Sequence, residues 1–284
     1  MNQIKIGICK NNYTFNNNII TFVAWFKYNQ MIFKREKNES FNFIDKGEGR
    51  PIILLHGLMG GLSNFDQVIE KLSNDGFRVI APVLPIYDLP LLKTNVKNLT
   101  LHVHSLILHL GLEKVVLVGN SLGGHIALVY NKLHPERVAG LVLTGSSGLY
   151  ENAMGESYPK RGDYEYMKRK TEDVFYDPKI ATKELVDDIY NTVNDRMKVI
   201  KILSIAKSAI RHNMAEDVAK MNLPVCLIWG KSDTVTPPNV AEEFHRLFPN
   251  SELHWIDKCG HAAMMERPYE FNVILEEWIN KNLK

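Results

Sequence analysis

The sequence predicts an α/β fold whose central sheet is mostly parallel. Two patterns over the 284 residues point to it. Short continuous apolar runs alternate with amphipathic stretches, and strands alternating with helices imply a parallel sheet. The runs are apolar without interruption, as expected of strands covered on both faces by crossover helices. A third observation locates the chemistry: Gly119-Asn120-Ser121-Leu122-Gly123 joins one such run to a helical one.

In chain order, Pro51–Leu55 is the first unbroken apolar run, and the glycine-rich His56–Gly61 follows it. Phe65–Ser73 carries hydrophobics at helical spacing, and Arg78–Val83 reads as the next strand. Leu99–Leu110 is amphipathic, Val115–Val118 is a strand, and Gly124–Leu133 is helical. Ala139–Leu143 and Leu223–Gly230 read as buried strands, and Glu252–Ile256 as a further one. Val240–Leu247 and Tyr269–Asn282 supply the late helices. There is no internal repeat or low-complexity tract in this core.

The turn at 119–123 has the G-x-S-x-G spacing of a nucleophile elbow. Strand and helix approach so closely there that only glycine leaves room, and the serine is held in a strained conformation with its hydroxyl above the sheet edge. A hydroxyl is a weak nucleophile and needs a base, which an imidazole can supply near neutral pH. The imidazole in turn needs a carboxylate to fix its tautomer. Asp233 follows the strand ending at Gly230, and His261 follows the strand ending near Ile256. Alone, each reads as an ordinary loop residue. Together they give the order Ser121, Asp233, His261 that belongs to this elbow. The amide of Leu122, next to the nucleophile, and that of Leu58 in the glycine-rich loop are the expected donors to the oxyanion.

These features resemble the α/β-hydrolase superfamily over nearly all of 31–284. The motifs are His56-Gly57, Gly119 through Gly124, Trp229-Gly230-Lys231-Ser232-Asp233, Gly260-His261, and Met265-Glu266-Arg267-Pro268 before Phe271. The resemblance implies a doubly wound, mostly parallel eight-stranded sheet with helices on both faces. It also implies a helical cap inserted after strand six, and a leading strand pair near Met31–Arg35 and Phe41–Asp45. The domain expectation is therefore a core of 31–145 and 222–284 with a cap at 146–221. The cap segment has mixed charge and helical-period hydrophobics (Ile189, Val193, Met197, Ile200, Leu203) but no buried-strand run. Tyr158, Tyr164, Phe175, Met197 and Met214 are its candidate pocket residues. Residues 1–30, with an asparagine-rich Asn11–Asn18 and a short apolar Ile19–Phe26, are expected to be a disordered extension or a misassigned start.

A net charge of +2 gives no case for nucleic acid or an anionic membrane. The apolar run at 19–26 is too short to span a bilayer. Three widely spaced cysteines (Cys9, Cys226, Cys259) argue against a disulfide framework and for a reducing cytoplasm. His102, His104 and His109 lack the i, i+4 spacing of a metal face, so neither metal nor cofactor is expected. His56 is expected to be structural, and His125 to shape the pocket floor or pack.

The expected function is hydrolysis of a small-molecule carboxylic ester through an acyl-enzyme, with oligomeric state left open. A second expectation comes from Asn120 beside the nucleophile, which resembles the carbon–carbon bond hydrolases of vinylogous diketones. Those relatives place tryptophan after the catalytic histidine, where this chain has Ala262, and use a cap arginine, for which Arg196 is the candidate. Perhydrolase or acyltransferase activity would need the same triad. A non-catalytic ligand-binding member of the fold is the alternative from another class.

Overall fold

The computed structural model of the protein describes residues 41–149 and 160–283. The expectations placed on residues 1–30, on the strand at Met31–Arg35 and on Tyr158 lie outside the described residues. Seven strands are described: β1 (Phe43–Lys46), β2 (Arg50–Leu55), β3 (Phe77–Pro82), β4 (Val115–Asn120), β5 (Val138–Thr144), β6 (Val225–Gly230) and β7 (Ser251–Ile256). They form one sheet in the order β1-β3-β2-β4-β5-β6-β7. β1 pairs antiparallel with β3, and every other pair is parallel. Of the eight strands expected, the one at Met31–Arg35 falls outside this set.

The unbroken apolar strands divide their side chains between two layers. In β2, Ile53 and Leu55 point into one core, while Ile52 and Leu54 point into the other. The first core is closed by α2 (Val96–His109), α3 (Leu122–Leu133) and α8 (Pro238–Leu247), through Leu106, Ile126 and Phe244 among others. The second is closed by α1 (Asp66–Asn74) and α10 (Pro268–Asn282), through Val68, Leu72, Phe271 and Leu275. Helix α2 starts three residues earlier than the apolar period suggests. Asn95 caps it, its side chain accepting from the Asn98 amide at 2.9 Å.

The chain order places the elbow. From β2 the chain moves outward to β3, then crosses back to β4 on the other side of β2. The loops leaving the carboxyl ends of the adjacent, parallel β2 and β4 therefore lie side by side at one edge of the sheet. The elbow at 119–123 lies there. A Cβ on Gly119 would sit 2.5 Å from the Gly123 carbonyl carbon, and one on Gly123 would collide with the Leu55 carbonyl.

After β5 the chain leaves the sheet and builds three cap-like helices, α4 (Tyr164–Glu172), α5 (Lys183–Asn194) and α6 (Arg196–Ile210). The helical period through 189–203 is not one helix. Asp195 interrupts it, its side chain accepting from the amides of Met197 and Lys198 at 2.9 and 3.0 Å and starting α6 anew. Met167, Val193 and Val199 form a small core among these helices, and Met59 of the glycine-rich loop packs against it. Helix α6 is pinned to the sheet domain by polar bonds. Lys201 donates to the Tyr87 carbonyl (2.6 Å), Ser204 donates to that of Thr94 (2.9 Å), and Ser208 accepts from the Val96 amide (3.2 Å). The short helix α7 (Ala215–Val218) leads back to β6.

Two stability outcomes follow from this packing. Gly123→Ala places a methyl against β2 and should cost about 3 kcal/mol, read by urea unfolding. Asp66 opens α1 with Oδ1 buried and unbonded among the described residues. Burial, and to a lesser degree Glu70, push its carboxyl up from 3.8 to about 6. A raised carboxylate favours folding most below its unfolded value, and that contribution is lost as pH rises through the folded one. Asp66→Asn should thus raise the Tm at pH 7 by roughly 2–4 °C and change little near pH 4, measured by thermal melts at both.

Candidate active site

β4 ends at Asn120, and the next residue bears the strain. Ser121 has φ +54° and ψ −119°, one of two positive-φ non-glycine residues among those described. Such a conformation persists only where its surroundings over-determine it, and here they do. The Ser121 amide donates to the Thr144 carbonyl at 3.2 Å. The Ser121 carbonyl accepts from the amides of Gly124, His125 and Ser147 at 3.0, 3.2 and 3.2 Å, and from the Ser147 hydroxyl at 3.3 Å. The elbow is thus clamped by the start of α3 on one side and by the end of β5 on the other.

The carboxyl ends of β6 and β7 deliver the other two residues. Asp233 and His261 are both buried, and His261 Nδ1 donates to Asp233 Oδ2 at 2.9 Å. That bond leaves Nε2 as the ring's free acceptor. Asp233 is held from three further directions. Its Oδ1 accepts from the amides of Val235 and Thr236 (2.8 and 2.9 Å), and Oδ2 accepts from the Thr236 hydroxyl (2.9 Å). The Ser121 hydroxyl makes no hydrogen bond among the described residues, so the expected serine–histidine contact is open in this conformation. Catalytic bonds of this kind often close only around substrate.

The family follows from this architecture together with the sequence. The sequence pattern of the Alpha/beta hydrolase family matches residues 52–273. The chain belongs to that family. It is 29% identical over 274 residues to a 2-hydroxy-6-oxononadienedioate/2-hydroxy-6-oxononatrienedioate hydrolase from Pseudomonas putida, covering 84% of this chain and 92% of that one. Among solved structures it is similar to MGS-MChE2, an alpha/beta hydrolase enzyme from the metagenome of sediments of the Mar Chica lagoon, Morocco. That match has 50% identity and a TM-score of 0.72, covering 87% of this chain and 97% of the other. It is also similar to the meta-cleavage product hydrolase CumD from Pseudomonas fluorescens IP01, at 25% identity and TM-score 0.74, covering 85% and 94% of the two chains. The protein is a serine hydrolase, and the non-catalytic alternative is set aside.

The hydrolase brings its glycine-rich loop to the elbow. A Cβ on Gly57 would lie 3.3 Å from both Ser121 Cβ and Asn120 Oδ1. No turn, loop or cap hydrogen bond among the described residues uses the amide of Leu58 or Leu122. His56 is structural in its bonding. Its Nε2 accepts from the Leu84 amide at 3.0 Å, which puts the ring proton on Nδ1, facing the Gly57 carbonyl at 2.8 Å. Burial lowers its pKa. His125 is fully buried beneath the elbow and stacks on His212 with ring centroids 5.3 Å apart; burial lowers it to about 3, so it is neutral.

Two contributors were not legible as such. Asn120 Nδ2 donates to the carbonyls of Thr144 (3.0 Å) and His261 (3.2 Å), so the residue beside the nucleophile ties the elbow to the histidine loop. Thr236 orients Asp233; the D-x-x-T spacing was the available signal, since aspartate folds such turns over its own side chain. Met197 is 55% exposed, Met214 and Phe175 belong to the sheet cores, and Tyr164 is tied to Asp187 within the cap at 2.6 Å. Among the described residues no group of three or more His, Cys, Asp or Glu could hold a metal ion. His102 and His109 instead flank the Phe41 ring, at 5.1 and 5.4 Å.

Asn120→Ala leaves the His261 carbonyl without this donor. It should lower unfolding stability by about 1–3 kcal/mol, measured by denaturant titration.

Proposed function

We propose that this hydrolase cleaves a small carbonyl compound in two steps, with Ser121 as nucleophile, His261 as base and Asp233 as its orienting carboxylate. The supporting observation is the buried Asp233–His261 bond of 2.9 Å beside a serine held at φ +54°. Nε2 of His261 takes the Ser121 proton as Oγ bonds to the carbonyl carbon. The amides of Leu58 and Leu122 receive the oxyanion. The intermediate collapses, the leaving group departs with the proton from His261, and an acyl-enzyme remains. Water, deprotonated by His261, then releases the acid and restores Ser121. No metal or cofactor takes part in this scheme. The segment 146–221 would act as the cap over a core of 31–145 and 222–284.

Which bond is cleaved turns on the relatives and on the lining. The relatives whose names state a substrate support carbon–carbon cleavage of a ring-cleavage product better than the ester reading expected from sequence. The leaving group would then be a stabilised carbon rather than an alkoxide. Two features favour the ester as second reading. Ala262 follows His261, and the cap arginines Arg161, Arg169, Arg196 and Arg211 are all exposed. A carboxylated diketone brought into the site would need a cation, whereas the cap side chains packed with Met59 are apolar or tyrosine.

No helix among the described residues is long and apolar enough to cross a membrane. Cys226 and Cys259 are unpaired and buried, which supports the cytoplasmic reading.

Ser121→Ala should fold normally, lose the fluorophosphonate adduct and lose turnover by roughly 10³-fold or more. Wild-type turnover in that variant would sink the nucleophile assignment. Assaying the wild type with p-nitrophenyl acetate and butyrate against a ring-cleavage diketone decides between the bonds. Diketone hydrolysis at the higher kcat/KM supports carbon–carbon cleavage, and ester turnover without it reverses the order.

A further inference from the structure

Glu266 is a buried carboxylate that the mechanism above does not use. It ends the four-residue helix α9 (Ala263–Glu266), five residues after His261, and is 3% exposed. A carboxylate so buried requires hydrogen-bond donors, and backbone amides supply them. Oε2 accepts from the amides of Gly260 (2.6 Å) and Tyr176 (3.1 Å), and Oε1 accepts from that of Asp177 (2.6 Å). One side chain therefore grips the residue before His261 and two residues of the segment that follows α4.

That segment, 173–177, is held against both catalytic loops. The His261 amide donates to the Val174 carbonyl at 2.8 Å, and the Thr234 hydroxyl, beside Asp233, donates to the Asp173 carbonyl at 3.0 Å. The fit is close enough to demand glycine at 260, where a Cβ would lie 2.8 Å from Phe175 Cα. Phe175 is itself buried in the sheet core. The segment 173–177 is thus bonded to both the Asp233 and His261 loops, and the Glu266 carboxylate fastens it to the histidine loop.

We propose that Glu266 is a positioning residue: it holds the His261 loop in register with the segment 173–177 that follows α4, so that the base is set by that attachment as well as by Asp233. The inference rests on His261 being the base for Ser121. A displacement of about 1 Å in such a group costs on the order of 10²-fold in rate, so the effect belongs in kcat and in the reactivity of Ser121. The isosteric amide has one oxygen, which satisfies Gly260 and Tyr176 but turns its NH₂ toward the Asp177 amide. Glu266→Gln therefore keeps the histidine-loop bond and loses one cap bond, while Glu266→Ala loses all three.

The test measures three quantities for wild type, Glu266→Gln and Glu266→Ala: the rate of fluorophosphonate labelling of Ser121, kcat and KM for p-nitrophenyl acetate, and thermal midpoint. The expected result is a roughly 10²-fold loss of labelling rate and kcat in Glu266→Ala. KM should stay within threefold, and Glu266→Gln should recover at least a tenth of the wild-type rate. Should Glu266→Ala fail to fold, Glu266→Gln carries the test, with labelling and kcat falling together by about tenfold. Lowered midpoints with wild-type labelling rates would make Glu266 a structural tie and overturn the proposal. So would a defect confined to KM. A wild type inert to the probe would instead remove the nucleophile assignment, and this inference with it.

Discussion

The close approach of β2, β4 and α3 at the elbow is the constraint on which the rest depends. Gly119 and Gly123 have no Cβ, so strand and helix can meet where any side chain would strike backbone. The chain must then reverse within one residue, and Ser121 takes a positive φ to do it. The cost of that conformation, of order 1–3 kcal/mol, is offset by hydrogen bonds from α3 and from the end of β5 onto the Ser121 carbonyl and amide. What results is a hydroxyl set at the top of the sheet, at the first turn of a helix whose amide dipoles favour negative charge.

Parallel topology gathers the other groups at the same edge. β2, β4, β5, β6 and β7 run in one direction, so the loops that follow them open on one side. Gly57, Ser121, Thr144, Asp233 and His261 all leave from carboxyl ends, although more than two hundred residues separate the first from the last. Cross-links then remove the slack. Thr236 holds Asp233, Asp233 holds His261, and Asn120 holds the histidine loop to the elbow. An imidazole positioned by several short bonds needs little reorganisation if charge develops on it.

The cap is attached at two places of different character. On one side α6 is fixed to the loops before α2 by Lys201, Ser204 and Ser208. On the other, the segment 173–177 after α4 bonds to the Asp233 and His261 loops and to Glu266. Between these anchors an apolar cluster of Met167, Val193 and Val199 meets Met59 of the glycine-rich loop. The cap-like helices are thereby in direct contact with the glycine-rich loop, and the segment after α4 with the loops that carry Asp233 and His261.

The sequence by itself determined the sheet, its alternating helices, and Ser121, Asp233 and His261 as a chemically consistent set. Those features are local or ordinal: apolar runs covered on both faces, glycines at a tight turn, and three residue types in a required order. Boundaries shifted where a side chain capped the chain, at Asn95 and at Asp195, because capping is decided by one hydrogen bond rather than by period. At Phe175 and Met214 the amphipathic period stated that a face is buried and not what it is buried against, and the structure places both in the sheet cores. Only the tertiary structure decided that Asn120 joins the elbow to the His261 loop and that Glu266 joins that loop to segment 173–177. Their partners lie up to 141 residues away along the chain, and hydrogen bonds across such separations leave no spacing for a sequence to display.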